Sequence, residues 1–145
     1  MPGIGTFPVV GVMALVVQDQ RILMVRRTKA PDAGRWSFPA GKVELGEAIE
    51  AAALRELFEE TRVRAAVCGI TVVTDAITRS SSGAVQSHFA IFGALCQWAG
   101  GEPVAGDDAT EARWISSAEM RSLDLALAFD VAGLAHAALA ASLCG

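Results

Sequence analysis

The chain has 145 residues, of which 52% are apolar and 19% charged, and this composition predicts a single globular domain over residues 1–145 and excludes a disordered chain. The formal net charge of −4 argues against binding of a nucleic acid polymer, although a small phosphorylated ligand needs only a few arginines in one pocket. The apolar run at residues 9–17 is too short to cross a bilayer and follows no basic leader, so we expect a cytoplasmic protein without membrane contact.

The N-terminal half predicts two strands, a loop, a short strand and a helix. Residues 9–17 and 21–27 are apolar segments on either side of a polar turn, as is typical of neighbouring strands. A loop follows over residues 28–37, and residues 36–41 predict a short strand that ends in a turn. A helix is expected from near Glu47 to Thr61, with Gly46 as its cap. Acidic residues in the first turn support this start, because they interact favourably with the helix dipole.

The C-terminal half predicts three strands and two helices. The strands are expected at residues 63–78, 85–98 and 111–115, with a Gly/Pro/Asp-rich loop over residues 99–110. Ser116 and Glu119 have the spacing of a capping box, which predicts a short helix, and a last helix is expected over residues 125–142. This order of elements predicts an α/β fold, in which a mixed sheet carries helices on both sides.

The cysteines indicate neither a zinc site nor a redox motif. Cys68, Cys96 and Cys144 are widely spaced and form no CxxC pair. We interpret all three as free thiols of a protein in a reducing cytosol.

Glu56, Glu59 and Glu60 place three carboxylates on one side of the predicted helix. Their i, i+3, i+4 spacing confines them to an arc of about 100°, where like charges destabilise a helix by about 0.2–0.5 kcal/mol per pair. Small apolar residues lie beside them, so we expect partly desolvated acids. A divalent cation such as Mg²⁺ resolves that conflict, because it binds one or two carboxylates and keeps positions for water and phosphate. A solvated acidic face is the alternative, and the triplet by itself does not decide.

The triplet belongs to a longer pattern. The pattern is Gly41-x5-Glu47-x7-Arg55-Glu56-Leu57-x-Glu59-Glu60, preceded by Trp36-x-Phe38-Pro39-Ala40-Gly41. Over residues 41–63 it resembles the Nudix box. The resemblance implies a Nudix-type α/β/α sandwich with a mixed central sheet. It also implies hydrolysis of a phosphoanhydride bond in a nucleoside diphosphate derivative, with Mg²⁺ or Mn²⁺ as cofactor.

The resemblance implies a role for each charged residue of the box. Glu56 and Glu60 would be the principal Mg²⁺ ligands, and Glu59 would be a further ligand or would help to activate the attacking water. Arg55 would orient a glutamate through a charge-assisted hydrogen bond, since its planar fork suits a carboxylate. Glu47 would be a supporting residue.

Residues next to the box either add to the site or depart from the family pattern. The backbone carbonyl of Gly41 or Ala40 would supply a further metal oxygen. Ala40 and Arg62 stand where the family usually has glycine. A residue with a Cβ adopts the left-handed conformation at a cost of about 1–2 kcal/mol, so Arg62 accepts that strain or the helix ends another way.

Candidate substrate contacts and a second base lie outside the box. Arg26 and Arg27 end a predicted strand and could reach substrate phosphates, or one of them is a surface charge. Trp36 could stack on a base or pack against the sheet. The acids that could act as a second base, or belong to a plain solvated loop, are Asp107, Asp108 and Glu111.

The substrate is predicted from a looser resemblance. The stretches at residues 88–92, 101–103 and 112–114 look like the compact ADP-ribose pyrophosphatase-like branch, which implies conversion of ADP-ribose to AMP and ribose 5-phosphate. Nucleoside triphosphates, including oxidised ones, are the alternative substrates. A protein of the same fold that senses a nucleotide without cleaving it is the alternative from another class, but it would not need all three glutamates. A homodimer is a family-level expectation.

Overall fold

The computed structural model describes residues 7–107 and 109–141, which form a single sheet with helices on both faces. The strands are β1 (Val9–Gln18), β2 (Arg21–Arg27), β3 (Trp36–Ser37), β4 (Ala40–Lys42), β5 (Arg64–Arg79), β6 (Val85–Gly100) and β7 (Ala109–Ser116). The helices are α1 (Ile49–Thr61), α2 (Ser117–Met120) and α3 (Val131–Ala140). Within these described ranges, no helix has the length and apolar character needed to cross a bilayer.

Strand β1 lies at the centre of the sheet. It runs parallel to β6, with Val9 opposite Phe89 and Val17 opposite Gln97, whereas the other strand pairings of the described residues are antiparallel. The main path is β3-β2-β1-β6-β5, with β4 paired to β1 and β7 paired to β2. The sheet is therefore mixed, as the sequence predicted.

Alternate side chains of β1 contribute to two separate cores. Met13 and Leu15 belong to a cluster that includes buried residues of α3, while Val12 and Ala14 belong to a cluster that includes buried residues of α1. Consecutive residues of a strand point to opposite faces of the sheet, so the continuous apolar run of β1 is buried on both sides. This arrangement confirms the predicted α/β/α sandwich.

Helix α1 begins two residues later than the sequence predicted. Ala48, with φ −69° and ψ 148°, is the N-cap residue, so the prediction of a start near Glu47 with Gly46 as the cap is wrong in this detail. Gly46 has a φ of 84° and belongs to the turn before the helix, in which the Glu47 N–H donates to the carbonyl of Glu44 at 2.9 Å. The predicted end of the helix at Thr61 is confirmed.

Arg62 ends α1 in the left-handed conformation, with φ 63° and ψ 9°. Its backbone N–H donates to the carbonyl of Phe58 at 2.9 Å, so the helix ends as the family glycine would end it, in spite of the Cβ. The guanidinium groups of Arg62 and Arg64 lie 5.3 and 5.0 Å from the centre of the Phe58 ring. These cation–π contacts offset part of the backbone strain.

The last helix is shorter than predicted. The sequence predicted a helix from residue 125, but α3 begins at Val131, so that start is wrong. Leu125 instead forms a parallel bridge with Trp36, and Asp130 caps α3 by accepting a hydrogen bond from the Gly133 N–H at 3.0 Å. By contrast, the predicted cap of α2 is confirmed, because Ser116 Oγ accepts the Glu119 N–H at 3.1 Å.

The cysteines follow the sequence prediction only in part. Cys96 is a free thiol in the core, and burial raises the pKa of this thiol to about 12. Cys68 is disulfide-bonded, so the prediction of a free thiol is wrong for that residue. Cys144 lies outside the described residues.

Candidate active site

Arg55 joins helix α1 to the loop that precedes it. Its Nε and Nη2 donate to the two carboxylate oxygens of Glu47 at 2.7 and 2.9 Å. Its Nη1 donates to Glu56 at 2.8 Å and to Glu59 at 3.4 Å, and Nη2 also donates to the carbonyl of Lys42 at 3.0 Å. One rigid guanidinium therefore orients carboxylates on both the loop and the helix, which a lysine could not do in the same way.

Arg55 also fixes the charge of Glu47. Its hydrogen bonds, aided by the Glu44 N–H at 3.1 Å, lower the pKa of the Glu47 carboxyl to about 2. In return, the hydrogen bonds to Glu47 raise the pKa of Arg55 above its usual range. The pair is therefore ionised throughout the neutral range, and the supporting role of Glu47 stays a prediction.

Glu56 and Glu60 bring two carboxyl groups together beneath strand β4. Glu60 is only 8% exposed, and it accepts the Ala40 N–H at 3.0 Å. The two carboxyl groups lie close enough for each to change the pKa of the other. Burial, together with the charge of Glu56, raises the pKa of Glu60 to about 8, and burial raises the pKa of Glu56 as well. Partly desolvated acids this close resist double ionisation, and a divalent cation would stabilise both charges.

Gly41 lies directly against the Glu56 carboxyl group. A Cβ at this position would overlap the carboxyl carbon and both oxygens of Glu56. Strand β4 sets this approach, because Gly41 is paired with Val12 of the central strand. A glycine is therefore required here by the space that Glu56 occupies.

The carboxylates of Glu56 and Glu60 fit a Mg²⁺ ion whose other ligands are water and substrate oxygens. Among residues 7–107 and 109–141, no group of three acidic, histidine or cysteine side chains forms a complete metal cage. Glu56 and Glu60 converge, whereas Glu59 has a side chain 42% exposed and is directed towards Arg55. Mg²⁺ usually takes only one or two protein carboxylates and fills its octahedron with waters and phosphates. A backbone oxygen of Ala40 or Gly41 stays a predicted further ligand.

The two candidate phosphate-binding arginines have different surroundings. Arg26 is held by Glu111 at 3.2 Å and by the carbonyl of Gly34 at 2.9 Å. Arg27 donates to the carbonyl of Pro31 at 2.9 Å, and its charge is one of the influences that oppose the rise in the pKa of Glu60. Arg27 is therefore near enough to act on the charge of Glu60, while Arg26 and Glu111 form an ion pair across β2 and β7.

Trp36 is a core residue with 5% exposure. The Arg113 guanidinium lies 5.0 Å from the centre of its ring. Its backbone N–H donates to the carbonyl of Asp124 at 2.8 Å, and its carbonyl accepts the Ala126 N–H at 2.9 Å. These contacts support the packing interpretation of Trp36 over base stacking.

The loop between β6 and β7 binds the end of helix α1, a contact that the sequence analysis missed. The Val104 N–H donates to the carbonyl of Thr61, and the Gly106 N–H to the carbonyl of Glu60, both at 2.9 Å. A Cβ at Gly106 would overlap the carbonyl oxygen of Glu59. The glycines of this loop were the available signal, but spacing alone does not show what they approach.

The loop also carries the acids predicted as a second base. Asp107 follows Gly106 directly, has a φ of 41° and is exposed. It therefore lies next to the backbone contact with Glu60. Asp108 lies outside the described residues, and Glu111 is occupied by its ion pair with Arg26.

Comparisons with known proteins agree with this geometry. The family model of the NUDIX domain matches residues 6–135. The chain is 36% identical over 107 residues to a Methanocaldococcus jannaschii protein named ADP-ribose pyrophosphatase, an alignment that covers 74% of this chain and 61% of that protein. It is 44% identical over 62 residues to the oxidized purine nucleoside triphosphate hydrolase of Danio rerio, covering 43% of this chain and 35% of that protein. The chain thus matches less than two thirds of the length of either relative.

A solved structure extends the likeness to nearly the whole chain. The crystal structure of the MutT NUDIX hydrolase from Burkholderia pseudomallei has a TM-score of 0.71 and 29% sequence identity. The match covers 92% of this chain and 96% of that one. The sheet and the helix that carries the glutamates therefore belong to a known architecture.

Proposed function

Because this chain belongs to the NUDIX domain family, we propose that it is a Mg²⁺-dependent hydrolase that cleaves the diphosphate linkage of a nucleoside diphosphate derivative. Mn²⁺ would serve in place of Mg²⁺. The observation that carries the proposal is the close pair of half-buried Glu56 and buried Glu60, in which Arg55 donates a hydrogen bond to Glu56 and Glu56 packs against Gly41. Two adjacent, partly desolvated acids destabilise the fold. A cation bound between them would neutralise their charges and would also bind the diphosphate of a substrate.

The charged residues of helix α1 would have different roles in the reaction. The bound cation would neutralise phosphate charge and lower the pKa of a water. Glu56 and Glu60 would hold the cation, and Arg55 would keep Glu56 in place. Glu59 would accept the proton of the attacking water, because it is more exposed than Glu56 and Glu60 and is held by Arg55 through a long contact of 3.4 Å.

Two residues outside the helix would complete the site. Arg27 would bind a substrate phosphate, since its guanidinium is close enough to Glu60 to influence that carboxyl. Asp107 would supply a second base, as the loop that carries it is hydrogen-bonded to the backbone of Glu60. Arg26 would keep β2 and β7 together and would not contact the substrate.

ADP-ribose is the proposed substrate, with AMP and ribose 5-phosphate as products. The relative named ADP-ribose pyrophosphatase supports this choice, because it matches 74% of this chain. An oxidised nucleoside triphosphate is the second candidate, supported by the name of the Danio rerio relative. A sensor that does not cleave its ligand is disfavoured, because the three glutamates and Arg55 are all present.

The test is phosphate release by the purified protein with and without Mg²⁺. The panel contains ADP-ribose, nucleotide sugars, ordinary and oxidised nucleoside triphosphates, and dinucleoside polyphosphates, with a phosphatase to convert products. Glu60→Gln is run beside Glu50→Gln, a matched change at an exposed position of the same helix. We expect Mg²⁺-dependent turnover of ADP-ribose that Glu60→Gln lowers by a factor on the order of 1,000 and Glu50→Gln leaves unchanged. Normal turnover in Glu60→Gln would refute the proposed site.

A further inference from the structure

The loop of residues 28–35 connects β2 to β3 and holds the side chain of Arg27. The Arg27 N–H donates to the carbonyl of Arg35 at 2.9 Å, and the Gly34 N–H donates to the carbonyl of Arg27 at 2.8 Å. The Arg27 side chain makes a different contact, because its Nε donates to the carbonyl of Pro31 at 2.9 Å. The end of the loop therefore fixes the backbone of Arg27, whereas the middle of the loop fixes its guanidinium group.

Asp32 binds the middle of this loop to a distant part of the chain. Its Oδ2 accepts the Ala128 N–H at 3.2 Å, although the two residues are 96 positions apart in sequence. Only 10% of the Asp32 side chain is exposed, and a hydrogen bond is stronger there than in water. Ala128 lies between α2 and α3, in a segment that is hydrogen-bonded to the backbone of Trp36. Asp32 thus connects the loop to a segment that β3 already holds in place.

The conformation of Asp32 sets the direction of the Pro31 carbonyl. That carbonyl belongs to the planar peptide group that joins Pro31 to Asp32, so the φ angle of Asp32 relates the carbonyl to the Asp32 carboxylate. Asp32 has a φ of 65°, in the left-handed region that aspartate and asparagine tolerate better than most residues with a Cβ. The hydrogen bond from Ala128 holds Asp32 in this conformation, and the Pro31 carbonyl therefore stays directed at the Arg27 guanidinium.

We propose that Asp32 is a positioning residue, which holds the Arg27 guanidinium ready for a substrate phosphate through the peptide group that it shares with Pro31. The inference rests on the proposed binding of a phosphate by Arg27. A guanidinium that is held before the substrate arrives loses less conformational entropy on binding than a mobile one. Asp32 should therefore increase the affinity for the substrate without contact with it.

The test is the binding of α,β-methylene-ADP in the presence of Mg²⁺, measured by calorimetry. A CH₂ group replaces the bridging oxygen of this diphosphate, so the probe is bound without being cleaved. Asp32→Gly removes the carboxylate but accepts the φ of 65°, and Asp32→Asn keeps a side-chain oxygen that can accept the Ala128 N–H. Both changes are made in the wild type and in Arg27→Met.

Asp130→Gly is the matched control for Asp32→Gly. The Asp130 carboxylate also accepts a backbone N–H, that of Gly133 at 3.0 Å, but it caps helix α3 and makes no contact with the 28–35 loop in the described part of the chain. The two variants therefore lose the same kind of hydrogen bond by the same substitution. Urea denaturation and circular dichroism establish that each variant is folded, and kcat and KM for ADP-ribose are measured in parallel.

We expect Asp32→Gly to raise the dissociation constant of the probe, and KM for ADP-ribose, by about three- to tenfold while kcat stays within about twofold of the wild type. Asp32→Asn and Asp130→Gly should bind the probe as the wild type does. In the Arg27→Met background, Asp32→Gly should have no further effect, because the guanidinium that Asp32 positions is absent.

Equal dissociation constants for Asp32→Gly and Asp130→Gly would overturn the proposal. So would an undiminished effect of Asp32→Gly in the Arg27→Met background, because the loop would then act on the site without Arg27. A wild type that binds the probe but cleaves no substrate would contradict the proposed hydrolase and leave the role of Asp32 to the binding data, so the two proposals fail separately. A wild type that does not bind the probe would overturn both.

Discussion

The backbone N–H of Gly106 donates to the carbonyl of Glu60 at 2.9 Å. Together with the bond from Val104 to Thr61, this contact binds carbonyls that the end of an α-helix leaves without intrahelical partners. The loop between β6 and β7 is thus hydrogen-bonded to the C-terminal end of the helix that carries the proposed metal ligands. A change in that loop should reach the site through the backbone of Glu60.

Gly106→Ala should destabilise the protein and reduce turnover. The added Cβ would overlap the carbonyl of Glu59, so the loop must move away from the end of α1. We expect a loss of about 1–3 kcal/mol, seen in chemical denaturation, with a lower affinity for Mg²⁺. Gly69→Ala is the control, because no atom lies within 4 Å of the Cβ position there. Equal stability of the two variants would contradict the proposed role of the loop.

Gly41→Ala should impair the site more than the fold. The methyl group would displace the Glu56 carboxyl from its place beside Glu60. We expect the affinity for Mg²⁺, measured by calorimetry, to fall by about tenfold or more, while circular dichroism stays that of the wild type. Unchanged affinity in this variant would show that Glu56 does not bind the cation from its present position.

Arg55→Lys should lower activity although the charge is kept. An ammonium group cannot hold Glu47 in a bidentate pair while it also reaches Glu56 and the Lys42 carbonyl. We expect kcat/KM to fall by about 10- to 100-fold, with Arg113→Lys as the control. Activity close to that of the wild type would mean that the charge alone suffices.

Arg55→Lys should also change how the unfolding free energy depends on pH in the acid range. The pKa of Glu47 in the folded protein is lowered from 4.5 to about 2, so its ion pair stabilises the fold above pH 4.5, and that stability is lost as the pH falls towards 2. The difference in unfolding free energy between wild type and Arg55→Lys should therefore shrink between pH 4.5 and pH 2. Urea denaturation at several pH values measures it, and a constant difference would contradict the pKa shift.

Glu60 should make the metal-free protein less stable as the pH rises. Burial raises its pKa in the fold from 4.5 to about 8, so the folded state holds the proton more tightly than the unfolded state. The stability from this group is fully present below pH 4.5 and is lost as the pH rises through about 8. Thermal denaturation in a chelator should show this trend in the wild type and a weaker one in Glu60→Gln.

Binding of Mg²⁺ should remove the loss of stability with rising pH, and it should release protons near pH 7. A cation held by Glu60 needs the carboxylate, which the metal-free protein keeps protonated at that pH. Calorimetry in two buffers of different ionisation enthalpy should give different apparent enthalpies. Identical enthalpies would argue that Glu60 is already ionised or does not bind the cation.

Arg27→Met should weaken substrate binding more than Arg26→Met. Arg27 lies within electrostatic reach of Glu60, whereas Arg26 is paired with Glu111. Loss of one charge-assisted contact should raise KM by about tenfold for Arg27→Met. Arg26→Met is the matched control, and a larger effect there would reverse the assignment.

The sequence by itself determined the main strands, helix α1 and the position of the three glutamates that we propose for the site. These features are local: a strand is read from apolar runs, and the side of a helix from residue spacing, so Glu56 and Glu60 could be predicted to lie together. The family resemblance added the partnership of Arg55 with a glutamate. The structure has that contact at 2.8 Å to Glu56.

Only the tertiary structure decided the features that depend on residues far apart in the chain. The start of α3 at Val131 depends on the pairing of Leu125 with Trp36, the difference between Arg26 and Arg27 depends on β7, and the need for glycine at Gly106 depends on the end of α1. Local preferences cannot show such features, because their free energy comes from contacts that form only when the sheet assembles.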